Sequence, residues 1–260
     1  MSEPLPVRPP RHRGIYLLPN LFTTGAMFAG FYAIIASIGG RYTEAAVAVF
    51  IAALLDGMDG RVARMTGTQT EFGVQYDSLS DLVSFGLAPA LVMYTWSLST
   101  LRDFGPLWGK LGWAAAFIYA ACAALRLARF NTQVGVADKR YFQGLASPAA
   151  AAVCMSFVWS VDKFGLAGSD FCFITPVIAI VVGLLMVSRF RYFSFKSLPM
   201  GDRQRVPFVW MVVAVLLLAL LILDTPRVLF VGFTLYLLSG PVWTIWSLAT
   251  HRRRARRSAA

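Results

Sequence analysis

The chain has 260 residues, of which 57% are hydrophobic and 14% charged, and its mean hydropathy is +0.62. A soluble globular domain carries about 25% charged residues, so this composition excludes that class. The net charge is +11, but the basic residues are spread over many loops rather than gathered in one patch. Nucleic acid is therefore not an expected partner, whereas anionic lipid headgroups are.

Apolar segments long enough to cross a bilayer recur along the whole chain. They predict an all-α integral membrane protein with about eight transmembrane helices joined by short loops. The predicted spans are 17–39, 43–66, 72–98, 108–130, 143–162, 170–188, 206–224 and 226–249. The first is too long for the core of a signal peptide, so we expect it to remain as an anchor.

The distribution of basic residues predicts the orientation of these spans. With the N-terminus in the cytoplasm, 19 of the 24 Lys and Arg residues lie at cytoplasmic helix ends. Cytoplasmic loops of membrane proteins are enriched in Lys and Arg. We therefore expect both termini, which form basic tails at 1–16 and 250–260, to be cytoplasmic.

Four aspartates interrupt the second and third apolar segments. An aspartate near the centre of a spanning helix costs about 2.5–3.5 kcal/mol on insertion scales, so such residues indicate function. Helical periodicity assigns them to two faces together with small residues and one arginine. The first face carries Asp56, Asp59, Gly60, Ala63 and Arg64, and the second carries Gly73, Asp77 and Asp81.

Two facing aspartate pairs would gather four carboxylates into one pocket, and that much like charge requires cations. Oxygen-only ligands favour Mg²⁺ or Mn²⁺, with two ions expected in the site. The small residues leave room for a large group, and Arg64 offers a forked donor for phosphate oxygens. The alternative is a structural ion-pair network with Arg61 and Arg64, which leaves the glycines unexplained.

The spacing D-x2-D-G-x2-A-R-x8-G-x3-D-x3-D at 56–81 resembles the signature of the CDP-alcohol phosphotransferase family. Further segments are similar to one branch, the bacterial membrane-type phosphatidylserine synthases. These segments are 14–24, 70–86, 126–131, 142–148 and 189–196. The resemblance therefore extends over about residues 14 to 196, with Ala146 as a departure where this branch is expected to have proline.

The resemblance implies a reaction and a set of site residues. The protein would transfer the phosphatidyl group of CDP-diacylglycerol to the hydroxyl of L-serine and release CMP, by metal-assisted direct displacement. Asp56, Asp59, Asp77 and Asp81 would bind the metals, and Asp81 would also act as the general base. The implied CDP-lipid contacts are Asn20, Thr23, Asp56, Gly60, Ala63, Arg64, Thr70 and Gly73.

The resemblance also implies where the protein works. It suggests a homodimer in the bacterial cytoplasmic (inner) membrane, with its active site facing the cytoplasm. Residues 17–249 would then form one transmembrane catalytic domain between the two tails.

Several assignments have alternatives. Asn20 and Thr23 also suit capping of the first helix. Arg126 and Arg129 share a helix face, where they would bind the serine carboxylate or extend to lipid phosphates. The acceptor could instead be glycerol 3-phosphate, inositol phosphate or choline. A different class is a divalent-cation transporter, but 143–188 and 206–249 contain no acidic residue at mid-membrane depth to continue an ion path.

Overall fold

The computed structural model describes residues 17–68, 70–133, 141–193 and 208–258, and the predicted tail at 1–16 lies outside them. Within these ranges the chain is mainly helical. Its α-helices are α1 (Leu17–Ile38), α2 (Tyr42–Thr66), α3 (Glu71–Asp81), α4 (Ala88–Trp96), α5 (Pro106–Gln133), α6 (Ser147–Lys163), α7 (Ile174–Val187), α8 (Phe208–Leu223) and α9 (Thr225–Ser258).

Each predicted span corresponds to a helical part of the structure, but the spans differ in character. In the described part of the chain, four helical stretches are long and apolar enough to cross a membrane: Leu18–Ile38, Glu71–Phe104, Pro106–Thr132 and Thr225–Thr244. Helices α6, α7 and α8 have only 17, 14 and 16 residues. Helix α2 is long enough, but it carries the charged residues of the signature.

The structure adds a small β-ribbon to the predicted all-α fold. Strand β1 (Tyr141–Gln143) pairs antiparallel with β2 (Arg191–Phe193), with Phe142 opposite Tyr192. The ribbon connects the segment before α6 to the segment after α7. Strands of three residues are too short to show the alternation of polar and apolar residues that identifies a strand in a sequence. The sequence therefore did not predict them.

The predicted span 143–162 begins later in the structure, because α6 starts at Ser147. Gly144 has a φ of +81°, a conformation that favours glycine. A Cβ there would lie 2.3 Å from the carbonyl oxygen of Met186, so a larger residue does not fit. Ala146 has φ −64° and ψ 137°, which proline also adopts. Its departure from the expected proline therefore leaves the backbone path unchanged.

Helices α1 and α2 pack closely through small side chains. The buried alanines are Ala26, Ala29, Ala33 and Ala36 on α1 and Ala45, Ala46, Ala48 and Ala52 on α2. Small interfacial residues let membrane helices approach each other closely. The approach places the start of α1 beside the acidic end of α2, where Thr23 contacts Asp59.

A π-helical turn at Leu82–Leu87 directly follows Asp81 and joins α3 to α4. Such turns occur often at functional sites. Two neighbouring helices fix this one. Ser84 Oγ donates a hydrogen bond to the Ala26 carbonyl of α1 at 3.0 Å, and the Tyr119 hydroxyl of α5 donates to the Phe85 carbonyl at 3.1 Å. The backbone beyond Asp81 is therefore held from two directions.

Candidate active site

Three aspartates from two helices meet at one point. One carboxylate oxygen each from Asp56 and Asp59 on α2 and Asp77 on α3 lie within 4.8 Å of one another. Asp59 is buried, with 5% of its surface exposed, and the other two are half-buried. The helical spacing of the sequence places these side chains on the facing surfaces of α2 and α3.

This cluster fits a divalent cation. Asp77 Oδ1 is buried and has no hydrogen-bond partner among the described residues. A buried carboxylate oxygen without a donor is costly, and a cation relieves that cost. All the donors are oxygens, which are the ligands that hard divalent ions prefer.

Thr23 contacts the cluster through Asp59. Its hydroxyl lies 2.7 Å from Asp59 Oδ2 and 3.1 Å from the Pro19 carbonyl oxygen, and the residue is 4% exposed. Ser80 on α3 donates to the Thr23 carbonyl at 3.0 Å. Thr23 therefore connects α1 to both acidic helices, with its side-chain hydroxyl already bonded inside the protein.

Asn20, Thr70 and Gly73 lie together where α1 meets the start of α3. Thr70 caps α3, because its Oγ accepts a hydrogen bond from the Gly73 amide at 3.0 Å. A Cβ at Gly73 would lie 3.2 Å from Thr70 Oγ1 and 3.6 Å from Asn20 Oδ1. A side chain at Gly73 would therefore press on Thr70 Oγ1 and contact Asn20.

Arg64 and Gly60 are neighbours on α2. A Cβ at Gly60 would lie 3.5 Å from Arg64 Nη1, so the guanidinium lies along the helix over the glycine. Arg64 is exposed, whereas Ala63 and Gly60 are half-buried. The arginine is therefore accessible next to the aspartates.

Asp81 is not part of the group of three converging carboxylates. It follows Asp77 by one helical turn and interacts electrostatically with Asp56, with Asp77 and with Arg126 of α5. The fourth predicted aspartate therefore lies between the acidic cluster and a positive charge.

The two arginines that the sequence places on one face of α5 have different partners. Arg126 Nη1 donates to Ser147 Oγ at 2.7 Å, while its Nε is buried and has no hydrogen-bond partner among the described residues. Arg129 donates to the side-chain oxygen of Gln143 in β1 and to the Val187 carbonyl at 3.4 Å. Arg129 thus joins α5 to the ribbon and to α7, whereas Arg126 keeps a free buried donor.

Two residues near Arg126 were not among the predicted site residues. Ser147 lies in the first turn of α6, and Tyr236 of α9 interacts electrostatically with the guanidinium. Neither has a sequence spacing that relates it to the aspartates. Ser147 falls in the segment 142–148, which resembles the family, and that resemblance was its only indication of a role in the site. Tyr236 lies in none of the segments that resemble the family.

The fold and the acidic cluster define a helical membrane protein with a candidate divalent-metal site. The family described as CDP-alcohol phosphatidyltransferase matches residues 16–164, and the chain belongs to this family. Members of the family use divalent metals, in agreement with the donor set of the cluster.

Named relatives are similar over much of the chain. A Helicobacter pylori protein named CDP-diacylglycerol–serine O-phosphatidyltransferase is 34% identical over 193 residues, which is 74% of this chain and 76% of that protein. A Mycobacterium tuberculosis protein of the same name is 37% identical over 61% of this chain and 55% of its own length. The archaetidylserine synthase of Methanothermobacter thermautotrophicus is 34% identical over 67% of this chain and 69% of that protein.

Proposed function

We propose that the protein transfers the phosphatidyl group of CDP-diacylglycerol to the hydroxyl of L-serine, giving phosphatidylserine and CMP. The observation that carries this proposal is the convergence of Asp56, Asp59 and Asp77 in a member of this family. The names of the relatives supply the acceptor, because serine occurs in the names of both the bacterial and the archaeal proteins.

Asp56, Asp59 and Asp77 would hold the divalent metal, which would be Mg²⁺ or Mn²⁺ with two ions per site, and Asp81 would complete the ligand set. A metal held there would supply positive charge against the diphosphate, which would make CMP a better leaving group. The buried Asp77 oxygen without a donor supports its role as a ligand.

Asp81 acts as the general base. Its carboxylate accepts the proton of the serine hydroxyl while the hydroxyl oxygen bonds to the phosphorus that carries the diacylglycerol. The bond from that phosphorus to the bridging oxygen breaks, and CMP leaves with the electron pair. A single in-line displacement inverts the phosphorus and requires no covalent intermediate on the enzyme. The position of Asp81 beside the metal cluster, but outside its three converging oxygens, supports this role.

The CDP-lipid is bound around the rim of the cluster. Arg64 pairs with diphosphate oxygens, while Gly60 and Ala63 leave space beside it. Asn20, Thr70 and Gly73 contact the nucleotide from the α1–α3 side. Thr23 acts differently from the contact that the resemblance implies, because its buried hydroxyl is bonded to Asp59 and so positions that carboxylate.

The protein crosses the cytoplasmic (inner) membrane of a bacterium with all eight predicted spans and works as a homodimer. The shorter helices α6, α7 and α8 and the charged α2 then cross the bilayer shielded by the longer apolar ones. Both tails and the active site face the cytoplasm. The excess of Lys and Arg on that side supports this orientation, and 17–249 forms the catalytic domain.

We expect Thr23→Val to weaken Mn²⁺ binding by about 10–100-fold, the usual effect of losing an outer hydrogen bond to a metal ligand. Valine keeps the shape of threonine but leaves Asp59 Oδ2 without its donor. Binding is measured by Mn²⁺ titration of the detergent-purified protein.

The adjacent Thr24→Val is the matched control for this prediction. Thr24 is exposed, and its hydroxyl contacts the Asn20 carbonyl and the Tyr76 hydroxyl rather than an aspartate. Equal Mn²⁺ affinity in both variants would contradict the positioning role of Thr23.

The proposed function is tested by CMP release from the purified protein with CDP-diacylglycerol and Mn²⁺ or Mg²⁺. We expect release with L-serine and not with glycerol 3-phosphate, inositol phosphate or choline. Release with one of the others would keep the metal chemistry and change the acceptor. If the protein releases no CMP with any acceptor, and CMP does not change its affinity for the metal, these results would favour a divalent-cation transporter.

A further inference from the structure

Arg126 has the features of a binding group for an anion. Its Nε is buried without a hydrogen-bond partner in the described part of the chain, while its Nη1 donates to Ser147 Oγ at 2.7 Å. No ion pair within 4 Å is present for it among the described residues. A buried guanidinium in this state is costly without an acceptor, which a ligand oxygen would supply.

The packing of α9 against α6 brings Tyr236 to this arginine. The helices run antiparallel, as shown by the 5.7 Å separation of the Phe157 and Phe230 rings and the 3.3 Å ion pair of Lys163 with Asp224. The same register brings Tyr236 opposite the early turns of α6, where Ser147 binds Arg126. Tyr236 and Arg126 interact electrostatically.

The β-ribbon fixes this part of α9. Tyr192 of β2 is buried, its ring centroid lies 5.6 Å from that of Tyr236, and its hydroxyl donates to the Leu237 carbonyl at 3.2 Å. A Cβ at Gly240 would lie 2.4 Å from the Tyr192 ring, so α9 approaches the ribbon closely. Tyr236 is therefore held next to the arginine by surrounding packing.

We propose that Tyr236, together with Arg126, binds the carboxylate of L-serine, which makes Tyr236 a specificity-determining residue contributed by α9. This inference rests on the proposed function and adds a residue outside the segment 16–164 that matches the family. Asp81 interacts with Arg126, so an acceptor whose hydroxyl reaches Asp81 has its other end near the guanidinium.

The charge of the site favours a carboxylate over a phosphate. Arg129, the next cation along α5, is bound to Gln143 and to the Val187 carbonyl. One guanidinium with a free donor and one phenol match the single charge and two oxygens of a carboxylate. A phosphate carries about two charges and would need a second cation.

The test compares L-serine with L-serinamide, which keeps the hydroxyl and the ammonium but has no carboxylate. CMP release by the detergent-purified protein gives kcat/KM for each acceptor. In Tyr236→Phe we expect KM for L-serine to rise about 10-fold or more, as for loss of a hydrogen bond to a charged group. The ratio of kcat/KM for serine to that for serinamide should fall by a similar factor, while KM for CDP-diacylglycerol stays unchanged.

Tyr192→Phe is the matched control, because phenylalanine keeps the ring that packs against Tyr236 and Gly240 and loses only the hydroxyl that donates to the Leu237 carbonyl. It should leave the serine-to-serinamide ratio unchanged, whereas general damage to α9 would lower activity with both acceptors equally. An unchanged ratio in Tyr236→Phe, with the unsubstituted protein active on serine, would overturn this inference alone. An unsubstituted protein that releases no CMP with serine would overturn the proposed function, and this inference with it.

Discussion

Asp81→Asn should abolish turnover while leaving the binding of CDP-diacylglycerol largely intact. Asparagine has nearly the shape of aspartate but does not accept the proton of the serine hydroxyl. Loss of a positioned general base costs about 10²–10⁴-fold in rate, so we expect kcat to fall by that amount. Asp81 lies outside the three converging carboxylates, and the metal site should therefore still assemble.

Two measurements on the same purified variant check this prediction. CMP release is followed at saturating metal and serine, because Asp81 interacts with Asp56 and Asp77 and its loss also changes the charge near the cluster. Binding of CDP-diacylglycerol is measured separately in the presence of the metal. Near-normal turnover would show that another group takes the proton. Lost binding together with lost turnover would mean that the variant has lost the metal site, and the role of Asp81 as general base would be refuted.

Asp103→Asn is the control for the charge change itself. Asp103 lies on the 3-10 turn after α4, and its side chain is 73% exposed. The same substitution there should leave both turnover and binding unchanged. A comparable loss of activity in this variant would mean that the assay reports damage to the protein rather than catalysis.

The part of the site that could be predicted from the sequence is the part encoded by spacing along single helices. Asp56 and Asp59, three residues apart, had to share a face of α2. Asp77 lies four residues after Gly73, so the two share a face of α3. Two apolar helices with acidic faces have few ways to pack without bringing those faces together, and their convergence followed from the pattern.

Other features depend on contacts between segments far apart in the chain, which no local pattern encodes. The different partners of Arg126 and Arg129 arise because β1 supplies Gln143 to one and α6 supplies Ser147 to the other. Helical periodicity places both arginines on the same face of α5, and it does not indicate that their partners differ. Tyr236 reaches the site only through the packing of α9 on α6 and β2.

The division of the chain into spans was also predicted in part. Hydropathy locates apolar segments, and each predicted segment overlaps a helical stretch of the structure. Hydropathy does not reveal that the third segment contains a π-helical turn after Asp81. That turn depends on contacts with two other helices: the Tyr119 hydroxyl of α5 donates to Phe85, and Ser84 within the turn donates to the Ala26 carbonyl of α1.

Asp59→Ala should abolish the metal-dependent binding of CDP-diacylglycerol. Turnover should be lost with it. Loss of a direct ligand should exceed the roughly 10–100-fold loss of metal affinity caused by outer-shell changes. Thermal unfolding gives a direct measurement, because a ligand that binds only the folded protein stabilises it in proportion to RT ln(1 + [L]/Kd). Mn²⁺ should raise the unfolding temperature of the unsubstituted protein and have little effect on the variant.

The metal-free protein distinguishes a lost ligand from a damaged fold. Asp56, Asp59 and Asp77 carry like charges within a small volume, so removing one relieves repulsion when no cation is present. The metal-free variant should therefore unfold at or above the temperature of the metal-free unsubstituted protein. Asp162→Ala is the matched control, because Asp162 also accepts a threonine hydroxyl, that of Thr43 at 2.6 Å, but belongs to no acidic cluster in the described part of the chain. It should lower the unfolding temperature equally with and without Mn²⁺; the same behaviour in Asp59→Ala would make Asp59 a structural residue and refute its role as a metal ligand.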